Sequence, residues 1–333
     1  MDYTHVVAEL LAEEEFTGFE YFAHDAWQTR DRANWLVART AGGIVAGRIG
    51  AASSAGLFDR LDRPVPGPAE GGRGFATPLP DGALAVAASG LVTVREPDGR
   101  VRWTLEHEPW HHRHIAAGAC AADASGRRLL VTMAGPTDGG SYEGDLCVVL
   151  HLADGRRLAH TVLPSASAGY GFQQSLTDPG ELFLNAAQGD TFHSLRLTLD
   201  GERLTAEPVG YEDEPFAGLA MNGAVLKLDV GGEWLNRCAA GQPDVSVDAE
   251  DVLPEDFRFV GYRPGFLDGD RVLAAIGEDQ DGTDNRHLLL DARTLRPTAE
   301  IDYPGTRCCD PLPLGDGTWL TADGTTVRRW RTA

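Results

Sequence analysis

No stretch of the sequence is apolar over the length that a membrane-spanning helix requires. The N-terminal run MDYTHVVAELLAEEEF has neither a basic n-region nor a long apolar core. No signal peptide is therefore expected, and the expected location is cytoplasmic. Cysteine is sparse. The five residues Cys120, Cys147, Cys238, Cys308 and Cys309 are odd in number and fall mostly inside predicted strands, so they read as reduced, buried thiols and not as a disulfide framework. The vicinal pair Cys308-Cys309 would point to opposite faces of a strand, which speaks against a two-thiolate metal site. Positive charge is also scarce. Lysine is almost absent, and 29 basic residues face 50 acidic ones, for a formal charge of −21. That balance excludes a nucleic-acid partner, whose phosphates need cations to neutralise them. No membrane partner is expected either. The Gly-x-Ser-x-Gly elbow, the Walker loop and the dinucleotide fingerprint are all missing, and nothing identifies a nucleophile.

What the chain does have is a repeat. Asp81-Gly82, Ser125-Gly126, Asp178-Pro179-Gly180, Asn222-Gly223, Asp268-Gly269 and Asp316-Gly317 punctuate apolar runs at intervals of about 43 to 54 residues. Seven repeats of about 47 residues would fill the 333-residue chain. Several short strands per repeat of that length imply an all-β, seven-bladed β-propeller forming a single domain over 1–333. The clearest blade is GFATPLP, ALAVAAS, LVTVRE and RVRWTLEH, with Asp81-Gly82 and Asp98-Gly99 read as two-residue hairpin turns. A weak last strand is expected near Val245–Val252. The final repeat has only three strands, CDPLPL, TWLTA and TVRRW, so the N-terminal strand, about residues 4–12, is expected to complete it. A helix over Val6–Glu15 is the competing reading. Small residues in the first strand of each repeat, such as Ala217-Gly218 and Val260-Gly261, fit crowding near a propeller axis.

PDGRVRWTLEH and LADGRRLAHTVL resemble repeats of the broad WD-repeat and PQQ-type propeller superfamily. The resemblance spans most of the chain at the level of fold. The Gly-His and Trp-Asp pairs of WD repeats are missing, and the PQQ-type Trp stands clearly only at Trp103. No binding residue is carried over from either family.

In a propeller, the connections between blades share one face with the loops between each blade's second and third strands. That face reads as acidic here. It collects Glu13-Glu14-Glu15, Glu106, Glu108, Glu212-Asp213-Glu214, Glu250-Asp251 and Glu255-Asp256, and the loop residues Asp138, Glu143, Asp145 and Glu278. Such a field attracts cations, although acidic loops also serve solubility. One connection, Glu106-His107-Glu108-Pro109-Trp110-His111-His112-Arg113-His114, holds four of the ten histidines. His111, His112 and His114 are candidate acid–base residues, or ligands for Zn²⁺ or Cu²⁺ with help from His24 or His193. A structural loop is the plainer reading, because no spacing matches a zinc signature. Asp279, Asp281 and Asp284 alternate around a Gly turn as in a calcium loop, but position twelve is Leu290 where that loop needs Glu. A divalent metal is thus the one cofactor class that the residues suggest. Trp110, Tyr142, Glu143 and Asp138 are candidate ligand contacts at the channel mouth, with His24, His193, Tyr262 and Arg263 along or near the channel.

Two functions remain open at this point. The first is an interaction module whose acidic face takes a basic protein or a cationic small molecule. The alternative is an enzyme with histidine acid–base or metal chemistry at the same face.

Overall fold

The structure is a computed structural model, and it describes residues 3–15, 21–28, 34–40, 43–52, 56–61, 75–110, 118–135, 142–166, 169–188, 191–210, 213–278, 285–305, 311–323 and 325–333. Among these residues there are 28 strands and one four-residue helix. The all-β expectation is met. The chain folds as two compact units, one made of 18–48 and 60–213, the other of 1–17, 49–59 and 214–333.

The N-terminal strand β1 (Thr4–Glu15) belongs to the second unit. The first sheet in chain order after β1 is β2 (Tyr21–Gln28), β3 (Asn34–Thr40), β4 (Gly43–Ile49) and β5 (Phe58–Leu61). Next comes β6 (Phe75–Pro78), β7 (Leu84–Ala88), β8 (Leu91–Arg95) and β9 (Val101–Glu106). The third sheet is β10 (Cys120–Ala122), β11 (Arg128–Met133), β12 (Leu146–His151) and β13 (Arg157–Val162). The fourth is β14 (Gly169–Gln174), β15 (Glu181–Gln188), β16 (Thr191–Asp200) and β17 (Arg203–Pro208). Each is an antiparallel meander in chain order. The inner strands are buried on both faces, which is why they read as unbroken apolar runs. In β11, for example, Leu130 joins one core cluster while Leu129 and Val131 join the cluster on the other side of the sheet. The last strands β9, β13 and β17 are more exposed.

The second unit holds the sheet β18 (Phe216–Leu219), β19 (Val225–Leu228), β20 (Trp234–Cys238) and β21 (Val245–Asp248). The predicted strand at Val245–Val252 stops at Asp248, because Asp248 caps a short helix, α1 (Ala249–Val252), by accepting the Glu250 amide. Then follow β22 (Arg258–Phe266), β23 (Arg271–Gly277), β24 (Arg286–Asp291) and β25 (Pro297–Asp302), and finally β26 (Leu312–Pro313), β27 (Thr318–Asp323) and β28 (Thr326–Thr332). The expected closure by the N-terminus is present, and the helix over Val6–Glu15 is not. Residues Ala8–Glu15 pair antiparallel with β28, and Thr4–Val7 pair parallel with β25, so β1 joins these strands into one eight-stranded sheet. Glu13–Glu15 therefore lie in a strand, with Glu13 on Arg328 at 2.7 Å, and not in a connection as the charge pattern predicts.

The Asp-Gly turns form, but with one residue more than expected. Gly82 N–H bonds the Leu79 carbonyl, and Leu79 N–H bonds the Ala83 carbonyl, which leaves a three-residue loop ending in Gly82 at φ 87°. Asp81 accepts the Ala83 amide. The Glu96–Arg100 and Ala220–Ala224 turns repeat these bonds. The small-residue expectation is also explained at β18: a Cβ on Gly218 would lie 2.9 Å from the Gly265 Cα of β22.

A buried polar cluster sits between β24 and β27. The Trp319 indole donates to the Tyr303 hydroxyl at 2.8 Å, and that hydroxyl is hydrogen-bonded to Nδ1 of His287 at 2.6 Å. Nε2 of His287 is buried with no hydrogen-bond partner among the described residues. Burial lowers the His287 pKa to about 3. An unfolded imidazole binds its proton near pH 6.5, so between pH 6.5 and about 3 the unfolded chain holds the extra proton. Stability is then expected to fall as pH falls through that window, by up to about 1.4 kcal/mol per pH unit. His107, lowered first by burial, adds in the same direction. Urea unfolding at pH 7, 6 and 5 tests this: the acid slope should shrink in His287→Phe and stay at its wild-type value if His287 does not contribute.

Candidate binding site

At one end of the β18–β21 sheet the backbone builds an open cleft of about 600 Å³. Its floor begins at the β19–β20 turn. Asp229 accepts the amides of Gly231 and Trp234, which tightens the turn and fixes the start of β20. Trp234 is left 43% exposed. The opposite wall is α1 and the segment after it, tied to the turn by the Ala249 amide on the Glu233 carbonyl and the Phe259 amide on the Gly232 carbonyl. Asp256 turns the chain with φ 67°, a left-handed conformation that Asp tolerates.

Glu233, Asp248, Glu250, Glu255 and Asp256 line the cleft, against one cation, Arg258. All but Asp248 are exposed. Five carboxylates around an open concavity make a strongly negative potential, and the exposed indole adds a face that attracts cations. The sequence points to Glu250, Glu255 and Asp256 as acidic connection residues. It does not point to Glu233 or Trp234.

A second constellation lies in the first unit, where two of the predicted contact residues meet. Trp110 is 1% exposed, and its indole N–H donates to the Asp145 carboxylate at 2.9 Å. The hydroxyls of Tyr142 and Tyr170 donate to the same carboxylate, which is fully buried. Ser165 lies 2.9 Å from the Tyr170 hydroxyl, and the Gly135 amide donates to that of Tyr142. Burial first, and then Asp145, holds both tyrosines well above the usual phenol range. Asp145 is thus an interior anchor and not an acidic loop residue open to solvent. Glu143, beside it, is exposed.

His193 lies half-buried on β16, and Arg263 half-buried on β22. His24 on β2 and Tyr262 on β22 have side chains outside the described residues, as do His111, His112, His114, Asp138, Asp279, Asp281, Asp284, Cys308 and Cys309. Cys120, Cys147 and Cys238 are free thiols. Burial raises Cys120 to about 12, which makes it inert at neutral pH. Among the described residues no three His, Cys, Asp or Glu side chains are placed to hold a metal ion, and no helix is long and apolar enough to cross a membrane.

No family model and no curated protein matches the sequence. Solved structures do match. BBS1N in complex with ARL6DN aligns over 99% of this chain and 98% of its own, with a TM-score of 0.55 and 13% identity. The Dos1 propeller aligns over 97% and 95%, at 0.56 and 11%. The fold is a β-propeller. Virginiamycin B lyase from Staphylococcus aureus aligns over 97% of this chain and 99% of its own, at 0.56 and 13% identity. The neighbours thus include one solved in a complex and one named as a lyase. At these identities they share the scaffold with this chain, and a propeller's function lies in its site.

Proposed function

We propose that this propeller is a binding module, and that the acidic cleft at Trp234 takes a basic segment of a partner protein. The observation that carries this reading is five carboxylates and an exposed indole lining one cleft, with Arg258 as the single cation. A Lys or Arg side chain entering there would meet carboxylates on both walls and the indole face. The likeness of the scaffold to BBS1N, solved in complex with ARL6DN, supports this reading. The repeat period supports a count of seven blades in a single domain. The enzyme reading depends on His111, His112 and His114, which lie outside the described residues, and no observation raises it above the first.

Titration with an octa-arginine peptide at low and at physiological salt tests the proposal. Affinity should drop with added salt, since exposed charges are screened. The triple variant Glu250→Gln, Glu255→Gln, Asp256→Asn should weaken binding by about tenfold or more, and Trp234→Ala by about two- to fivefold, the worth of one exposed cation–π contact. The three carboxylates are exposed, so the triple variant should leave stability unchanged. Equal binding by wild type and the triple variant would refute the assignment.

A further inference from the structure

Lys227 is the chain's single lysine among 29 basic residues, and it is 1% exposed. It sits on β19, hydrogen-bonded into the middle of its sheet, opposite Phe216 on β18 and Asn236 on β20. Its Nζ lies 3.4 Å from Oε2 of Glu214 and 5.7 Å from the centroid of the Phe216 ring. Asn236 donates to the other oxygen of Glu214 at 3.2 Å. The carboxylate that receives the ammonium is therefore itself held in place. A nucleophilic amine is usable only when an acyl donor can reach it along an open approach, and the native packing leaves none.

We propose that Lys227 is a fold-gated acceptor for acyl or isopeptide transfer: closed in the native propeller and opened only when the β18–β21 sheet comes apart. In such a transfer the Lys227 ammonium first loses a proton. Nζ then attacks the carbonyl carbon of an activated acyl donor, a thioester or anhydride. An amide bond forms, the bond from that carbon to the thiolate or carboxylate leaving group breaks, and a second proton leaves the nitrogen. The product is neutral and larger than the amine it replaces. It cannot return to a site with almost no free surface, and Glu214 would face an uncharged amide where it held an ammonium. The modification therefore marks chains that have opened and hinders their return. Because this is the only lysine, every lysine-directed conjugation of the chain reports that opening.

Acetic anhydride is a sufficient probe, with Lys227 acetylation measured by mass mapping of arginine-cleaved peptides. A free peptide spanning Ala224–Val230 gives the unprotected rate. In native buffer Lys227 should react more than about tenfold slower than the peptide, and in concentrated urea at the peptide's rate, since protection follows the opening equilibrium. Protection of tenfold or less in native buffer overturns the gate. In a second arm, full-length chains acetylated in urea are diluted to refold, alongside identically treated Lys227→Arg chains that control for acetylation elsewhere. Recovery should be impaired in the wild type alone. Equal recovery of acetylated and untreated wild type overturns the claim that modification hinders closure. The native labelling arm uses the wild-type protein, so it decides the gate even if Lys227→Arg does not fold.

Discussion

Replacing Asp145 by alanine is expected to destabilise the protein by about 2–6 kcal/mol, since two buried donors lose their acceptor at about 1–3 kcal/mol each and a third, half-buried one is left to water. The donors are the Trp110 indole and the hydroxyls of Tyr142 and Tyr170, and they reach Asp145 from three separate segments. The carboxylate is therefore a junction, and its loss loosens all three segments together. Asp145→Asn should cost less but still substantially, because the amide keeps one acceptor oxygen and turns a donor toward donors. Tyr170→Phe removes one arm and should cost about 1–2 kcal/mol. The decisive measurement is a double-mutant cycle by urea unfolding. If the network is real, Asp145→Ala and Tyr170→Phe together should cost less than the sum of the two, because the second change removes a donor that the first left unpaired. Additive losses would mean that Asp145 acts through local packing alone.

The same residue shows where sequence reading ends. Asp145 stands in a Gly-rich acidic stretch and reads as a solvated loop carboxylate. Its burial comes from Trp110, 35 residues earlier, and Tyr170, 25 residues later. Only the tertiary fold brings them together, and no local pattern announces it. The strands are far more legible. An inner propeller strand is buried on both faces, so RLLVTM and LCVVLH stand out as short apolar runs. The Asp-Gly turns are legible as turns, but the same dipeptide serves two- and three-residue loops, so the loop length is not. At the end of β21 the strand pattern masks a readable signal: Asp248 followed by Glu250 and Asp251 is a helix cap with an acidic first turn. In the cleft, the carboxylates of Glu250, Glu255 and Asp256 are readable as charge. Trp234 is not, because a Trp beside Leu235 in a strand looks the same whether it faces the core or the solvent.

Arg329 and Arg331, two residues apart on β28, should respond very differently to the same change. Arg329→Met is expected to cost about 2–4 kcal/mol, and Arg331→Met about 0–1 kcal/mol. Both are paired with a carboxylate, so the pairing alone predicts no difference. What separates them is burial. The Arg329 side chain is 2% exposed, with Nε on the Thr318 hydroxyl at 3.0 Å, Nη2 on Asp316 at 2.6 Å and Nη1 on the Gly50 carbonyl. It ties β28 to the turn before β27 and to the chain just after β4, so its removal unpairs the buried Gly50 carbonyl and takes the cation from Asp316, which keeps the Thr318 amide and hydroxyl. Arg331 is 50% exposed, and its partner Glu9 is 46% exposed. Water replaces each for the other at little cost. Arg329→Lys sharpens the test. Lysine keeps the charge and can hold Asp316, but one ammonium cannot reproduce the planar fork that reaches Thr318 and Gly50 as well. It should therefore recover only part of the loss. Comparable midpoints for Arg329→Met and Arg331→Met in urea would show that the buried guanidinium contributes no more than a surface pair, and that closure of this sheet rests on the β1 pairing alone.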